Sequence, residues 1–309
     1  MTSALSTCAG IAVLLFLIRE IFCQLFHPEG DDTLGRLIFR GGRALARRGG
    51  STALVIAGPT CVILVIASWV LLAVVAWALV LLPHVPDAVV YGPGVEPGPP
   101  MIDALYLSLV GISTLGYGDI VPDASALRLL WPFEAIMGFG IITAGLTWGL
   151  SAFPPLGRQR GLARYAHLLL EEDRPSAERL DELARMVTSA TIDIKLSPVT
   201  YYIVPSSDRE SLPALAPRLW DAASSACSDP ERSAAAHRLL RALDDMGDQL
   251  VSARLVPECR DEGRDRLIAY RDDAHPEARA PRRPREPRHS SRDSSGRAPS
   301  GGGRSATRS

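Results

Sequence analysis

The chain has 309 residues, 47% of them hydrophobic, and a formal net charge of −1. That balance argues against a nucleic-acid partner, and five scattered cysteines without C-x-x-C spacing argue against a disulfide framework or a zinc site. Residues 1–152 are apolar whereas 158–309 are polar and rich in Arg and Pro, so the length divides into a membrane part and a second, polar part.

Residues 1–26 form the first predicted element. The uninterrupted apolar stretch runs from Ala9 to Ile18 and is followed by Arg19, Glu20 and Gln24. A spanning helix needs about 20 residues, a length reached only if the Arg19–Glu20 pair snorkels to an interface or faces other helices. The segment is therefore a transmembrane or interface-embedded helix. No positive region precedes it, which disfavours a signal peptide.

Residues 27–50 form a basic loop. Arg36, Arg40, Arg43 and Arg47 recur at intervals that share one helical face. Such a face suits the surface of an anionic membrane, and an ordinary solvated connector is the other reading. On either reading the arginines place this loop in the cytoplasm.

Thr60 to Leu82 is uncharged and crosses a ~30 Å hydrocarbon core. Pro59 is expected at its start, where a missing N–H does least harm. His84 to Pro100 reads as an exposed, turn-filled loop. Asp103 to Ser113 is apolar but too short to span, and has the size of a re-entrant helix buried in protein. The third span is Leu129 to Ala152, with Trp131 as an interface anchor and Pro154-Pro155 as its end. Arg158, Arg160 and Arg164 then return the chain to the basic side.

Between the short helix and the last span lies Ser113-Thr114-Leu115-Gly116-Tyr117-Gly118-Asp119. Glycines at 116 and 118 permit backbone angles that a Cβ disfavours, so successive carbonyls can turn toward one axis and replace an ion's hydration shell. The run resembles the selectivity filter of the potassium channel superfamily, and residues 51–155 resemble its two-transmembrane pore unit of the short-pore, prokaryotic type, here with an additional N-terminal membrane helix. The resemblance implies that Thr114, Leu115, Gly116 and Tyr117 coordinate K+ in a row and that Gly118 completes the filter. It also implies that four copies close the ring, and that Asp119 sits at the outer mouth with Tyr106 bracing it. Asp87, Glu96, Asp103 and Asp123 add negative charge there, without a compensating basic residue.

Three positions depart from the family's usual pattern. Leu115 stands where Val or Ile is common, Val110 where some members carry a carboxylate behind the filter, and Tyr106 where Trp is usual. Gly138 falls at the family's hinge position, although close helix packing explains such glycines equally well. Glu134 is an ionisable residue in a membrane segment, and so a functional candidate or a support for the pore helix. No spanning segment carries an Arg ladder, so no voltage sensor is indicated.

Residues 156–272 read as a mainly helical cytoplasmic domain. Leu180, Leu183, Ala184 and Val187 form an apolar stripe that Ser176 caps. Leu239, Leu243, Met246 and Leu250 form a seam that ends at Pro257, and it serves either subunit assembly or packing within the domain. Pro198 to Pro205 is expected as a short strand. No phosphate loop, metal cluster or catalytic constellation appears. The 273–309 tail, rich in Arg, Pro, Ser and Gly, is expected to be disordered.

The fold class is thus an all-α membrane protein: transmembrane helix, re-entrant helix with filter, transmembrane helix, then the helical domain. The implied function is a potassium-selective homotetrameric channel of the plasma membrane, without cofactor or catalysis. Membrane lipid and an unidentified cytoplasmic ligand or partner complete the expected contacts. A membrane-anchored signalling protein with a degenerate pore, or a weakly selective cation channel, are the other readings.

Overall fold

The computed structural model describes residues 2–26, 33–256 and 263–276. The expected stop at Pro257, Cys259 and the tail from residue 277 onward lie outside the described residues. Within them the chain is an all-α membrane protein with one small sheet. Three helices are long and apolar enough to cross a membrane, judged by length and composition.

Helix α1 (Thr2–Phe26) packs along α3 (Ser51–Leu81). Its charged pair is settled locally. Glu20 is buried, and its carboxylate accepts from the backbone N–H groups of Thr33 and Leu34, each 2.9 Å from Oε2. These are orphan donors at the start of α2 (Thr33–Ala46), so one helix caps another. Arg19 Nη1 pairs with Glu20 Oε1 at 2.9 Å from a half-exposed position.

Helix α3 begins at Ser51, not at Thr60, and Pro59 lies inside it. Residues 51–57 contain no breaker, and tertiary contact carries the helix through Gly58 and Pro59. Leu54 is buried, and Gly58 meets the backbone of Tyr202 and Ile203 so closely that a Cβ would lie 2.6 Å from the Tyr202 carbonyl oxygen.

After α3 the chain forms strand β1 (Val89–Tyr91), helix α4 (Pro100–Ile112), strand β2 (Ile120–Pro122) and helix α5 (Ser125–Ser151). The strands pair antiparallel, Val90 opposite Val121, so the expected loop holds an element of the sheet. Helix α5 packs on α3 through Trp148 and Trp69, whose rings are 5.8 Å apart. Gly145 gives close access to Ile66. Pro154 and Pro155 do not merely end α5. They open α6 (Phe153–Leu169), where a helix's first turn needs no N–H donor.

Helices α6, α7 (Ala177–Leu196), α8 (Leu212–Ala226), α9 (Ser233–Ser252) and α10 (Gly263–Ala274) share one apolar core. Ser176 caps α7, its hydroxyl accepting from the Arg179 N–H at 3.4 Å. The seam Leu239, Leu243, Met246 and Leu250 is fully buried against α7 inside this domain. Pro198–Tyr202 is a 3-10 helix rather than a strand: Pro198 fixes the first turn, and Tyr201 and Tyr202 point into packing instead of a sheet.

That short helix docks the domain onto α2. Arg43, expected on a solvent- or lipid-facing basic surface, is buried over the Tyr201 ring, 4.8 Å from its centroid. Its Nε lies 2.7 Å from Asp273 Oδ2, and Arg47 pairs with the other carboxylate oxygen. The α2 arginines thus face the helical domain rather than a bare membrane surface.

Candidate functional site

Helix α4 starts on Pro100 and carries Asp103 in its first turn, where the helix dipole favours a carboxylate. Asp103 Oδ2 accepts from Tyr91 Oη at 2.7 Å and from the Gly98 N–H at 2.9 Å. Burial, then the hydrogen bond to Asp103, push the Tyr91 phenol up to about 12. Asp103 is therefore a buried anchor for the loop before α4, rather than a free charge at the mouth.

The end of α4 determines how the chain enters the Thr114–Gly118 strand. The Thr114 N–H donates to the Gly111 carbonyl and the Leu115 N–H to the Val110 carbonyl, both at 3.1 Å. This is a Schellman cap, with Thr114 in the left-handed place that glycine usually takes. Thr114 has φ of 56°. A β-branched residue there is a genuine outlier, worth roughly 1–3 kcal/mol of strain. Gly116 at 56° and Gly118 at 75° repeat the left-handed backbone at every second residue. Nothing lies within 4 Å of a Cβ built on either glycine, so their requirement is conformational and not one of space.

The strand is tied at its far end. Tyr106 Oη donates to Asp119 Oδ2 at 2.6 Å, and the Gly92 N–H donates to the Asp119 carbonyl at 2.7 Å. The β1–β2 pairing continues directly from that contact. Asp123 is not an uncompensated charge, because Arg128 Nη2 lies 3.2 Å from its carboxylate.

Behind α4 sits a buried polar group. The Ser108 hydroxyl is 2.7 Å from Glu134 Oε1 and 3.0 Å from the Val74 carbonyl oxygen, so α3, α4 and α5 meet at one point. Ser108 and Glu134 are both fully buried. Trp131 lies with Glu134 against Gly111, where a Cβ would overlap the indole nitrogen. Gly138 packs on the end of α4: a Cβ there would lie 2.6 Å from the Ile112 carbonyl oxygen. Val110 is buried, and a cavity of about 420 Å³ opens between it, Thr114, Gly116, Trp131 and Ala135.

Sequence reasoning singled out Thr114 to Asp119, Tyr106, Val110, Gly138 and Glu134, and the fold gathers them around the middle and C-terminal end of α4. It missed Ser108 and Arg128, whose partners in space leave no periodic signal. It also missed the left-handed Thr114, which only the cap geometry reveals.

Residues 60–152 match the family model described as "Ion channel". A 43-residue stretch, 14% of this chain, is 44% identical to part of the two-pore potassium channel 2 of Arabidopsis thaliana, and the match covers 10% of that protein. No solved structure matches the chain.

Proposed function

We propose that four copies assemble into a potassium-selective channel of the plasma membrane, a reading supported by the match of residues 60–152 to the ion-channel family model and by the short stretch similar to a two-pore potassium channel. The observation that carries this reading is the left-handed backbone at Thr114, Gly116 and Gly118. Inverting φ at every second residue cancels the alternation of an ordinary strand, so successive carbonyls face one side. Thr114, Leu115, Gly116 and Tyr117 then present a row of oxygens that takes over the hydration shell of K+. One chain supplies one such row, and a ring of four closes around the axis.

The C-terminal end of α4 turns the negative end of its dipole toward the ion path, where it favours a cation. Asp119, held by Tyr106 and Gly92, adds negative charge at the mouth. Ions move down their gradient, and no bond is made or broken. Charge asymmetry supports a cytoplasmic position for α2, α6 and the helical domain.

Replacing Gly116 by valine tests the reading. A β-branched residue at a φ of 56° is strained, so K+ flux from reconstituted vesicles should vanish while the tetramer still elutes intact. Unchanged flux in the variant contradicts a conducting role for this backbone.

A further inference from the structure

Glu134 takes no part in the conduction described above, yet it is fully buried in a helix of the pore unit. The helices around it offer no cation. Helix α3 carries no Asp, Glu, Lys, Arg or His along Ser51–Leu81. The ionisable side chains of α4, Asp103 and Tyr106, are committed to Tyr91 and Asp119. On α5 itself, Arg128 pairs with Asp123. Among the described residues no donor reaches Glu134 Oε2. An ionised carboxylate here would be a buried charge without compensation, the arrangement that folded proteins avoid.

Counting hydrogens gives the same answer independently. Ser108 Oγ lies 2.7 Å from Glu134 Oε1 and 3.0 Å from the Val74 carbonyl oxygen. A serine hydroxyl has one hydrogen to give. With Glu134 ionised, both neighbours only accept, so one of these short oxygen pairs has no hydrogen between its members and repels. With a hydrogen on Oε1, both contacts are satisfied in sequence. The carboxyl donates to Ser108 Oγ, and Ser108 donates to the Val74 carbonyl. A neutral Oε2 without a donor is then far less costly than a charged one.

This chain of hydrogen bonds crosses α4 just before the Thr114–Gly118 segment. Ser108 and Ile112 are one turn apart on α4, as are Glu134 and Gly138 on α5, so the hydrogen bond and the close Gly138–Ile112 contact lie side by side. Two residues beyond Ile112, Thr114 enters the left-handed cap that begins the segment. A shift of α4 between α3 and α5 is therefore passed directly to the backbone that follows.

We propose that Glu134 is a protonated positioning residue. As an uncharged hydrogen-bond donor it ties α5 through Ser108 to α3, and so fixes the tilt of α4 and the alignment of the carbonyls from Thr114 to Tyr117. The effect on selectivity rests on the channel reading, whereas the proton on Glu134 does not.

The proton is read by infrared difference spectroscopy of the full-length protein in lipid vesicles at neutral pH, wild type minus Glu134→Gln. The expected signal is the C=O stretch of a hydrogen-bonded, protonated carboxyl. In Ser108→Ala the same band should move to the position of a free carboxyl. Wild type minus Ser108→Ala therefore reports the proton even where the glutamine variant does not assemble. Carboxylate bands alone would overturn the proposal, as would a band that Ser108→Ala leaves in place.

The positioning role is read from the K+ to Na+ permeability ratio in planar bilayers, together with the thermal midpoint. Glutamine can still donate to Ser108 and should keep the ratio within about twofold of wild type. Leucine fills a similar space without a donor, and replacing a buried polar group by an apolar one need not destabilise. Glu134→Leu should therefore keep the midpoint but lower the ratio roughly tenfold, the equivalent of one buried hydrogen bond. Wild-type selectivity in the leucine variant would overturn the positioning role. A glutamine variant as defective as leucine would overturn the uncharged donor. An unselective or silent wild type would contradict the channel reading instead, and the infrared band would still decide the proton.

Discussion

The phenol of Tyr106 donates a 2.6 Å hydrogen bond to the carboxylate of Asp119, so the middle of α4 holds the residue at which the Thr114–Gly118 segment ends. The Schellman cap at Thr114 fixes the other end of that segment. Between the two ties, the left-handed glycines have only their own torsions to satisfy.

Tyr106→Phe removes this brace and leaves the ring. Single-channel recordings of the variant should show shorter open times, because Asp119 is freed while the filter carbonyls are untouched. Tyr106→Trp, whose indole N–H can donate to the same carboxylate, should restore much of the open time. Identical dwell times for wild type and Tyr106→Phe contradict a bracing role.

Ser108→Ala leaves Glu134 and the Val74 carbonyl without their shared hydroxyl in a fully buried place. The loss should be roughly 1–3 kcal/mol, read as a lower thermal midpoint of the purified assembly. Ser108→Thr, which keeps the hydroxyl, should lose less. A midpoint unaffected by alanine would mean that the contact contributes nothing.

Gly138 and Gly140 separate packing from hinging. Alanine at 138 would meet the Ile112 carbonyl oxygen at 2.6 Å, whereas alanine at 140 has nothing within 4 Å. Overpacking of this kind costs about 1–3 kcal/mol, so Gly138→Ala should lower stability and Gly140→Ala should not. A Gly138→Ala protein of wild-type stability with altered gating would instead favour a hinge.

Asp273→Asn removes the carboxylate that faces buried Arg43 and also pairs with Arg47. Stranding a buried charge costs about 3–5 kcal/mol. The variant should release the C-terminal domain from α2, seen as faster proteolysis between residues 170 and 176 and a lower midpoint. Unchanged proteolysis would show that Tyr201 and Tyr202 suffice for docking.

The helical domain should also lose stability in acid. Hydrogen bonds from Arg238 and Arg264 hold Asp181 and Asp221 below the usual carboxylate range. A carboxylate lowered in the folded state contributes fully above its unfolded pKa of about 4 and loses that contribution as pH falls through the folded value. Arg238→Gln with Arg264→Gln should therefore flatten the fall in thermal midpoint between neutral pH and pH 3. An unchanged slope contradicts these pairs as its source.

Much of this architecture was readable from the residues. The spans declare themselves because uncharged runs have few alternatives, and the Leu180–Val187 stripe and the seam in α9 follow helical periodicity into a shared core. What escaped depends on contacts between distant segments. Pro59 looked like a helix start because the packing of Gly58 on Tyr202 is invisible locally. The α2 arginines looked solvent- or lipid-facing because Asp273 lies more than two hundred residues away. Residues 198–205 looked like a strand because β-branched and aromatic residues suit either a sheet or a docking wedge, the form that 198–202 take. In the Thr114–Gly118 segment the glycine spacing was legible while the cap that strains Thr114 was not.

The central claim is that Thr114 to Tyr117 select potassium. Full-length protein in planar bilayers, with K+ on one side and Na+ on the other, tests it through the reversal potential. The account predicts a current that reverses close to the K+ equilibrium potential. Reversal near zero, or no current from a correctly assembled protein, contradicts it.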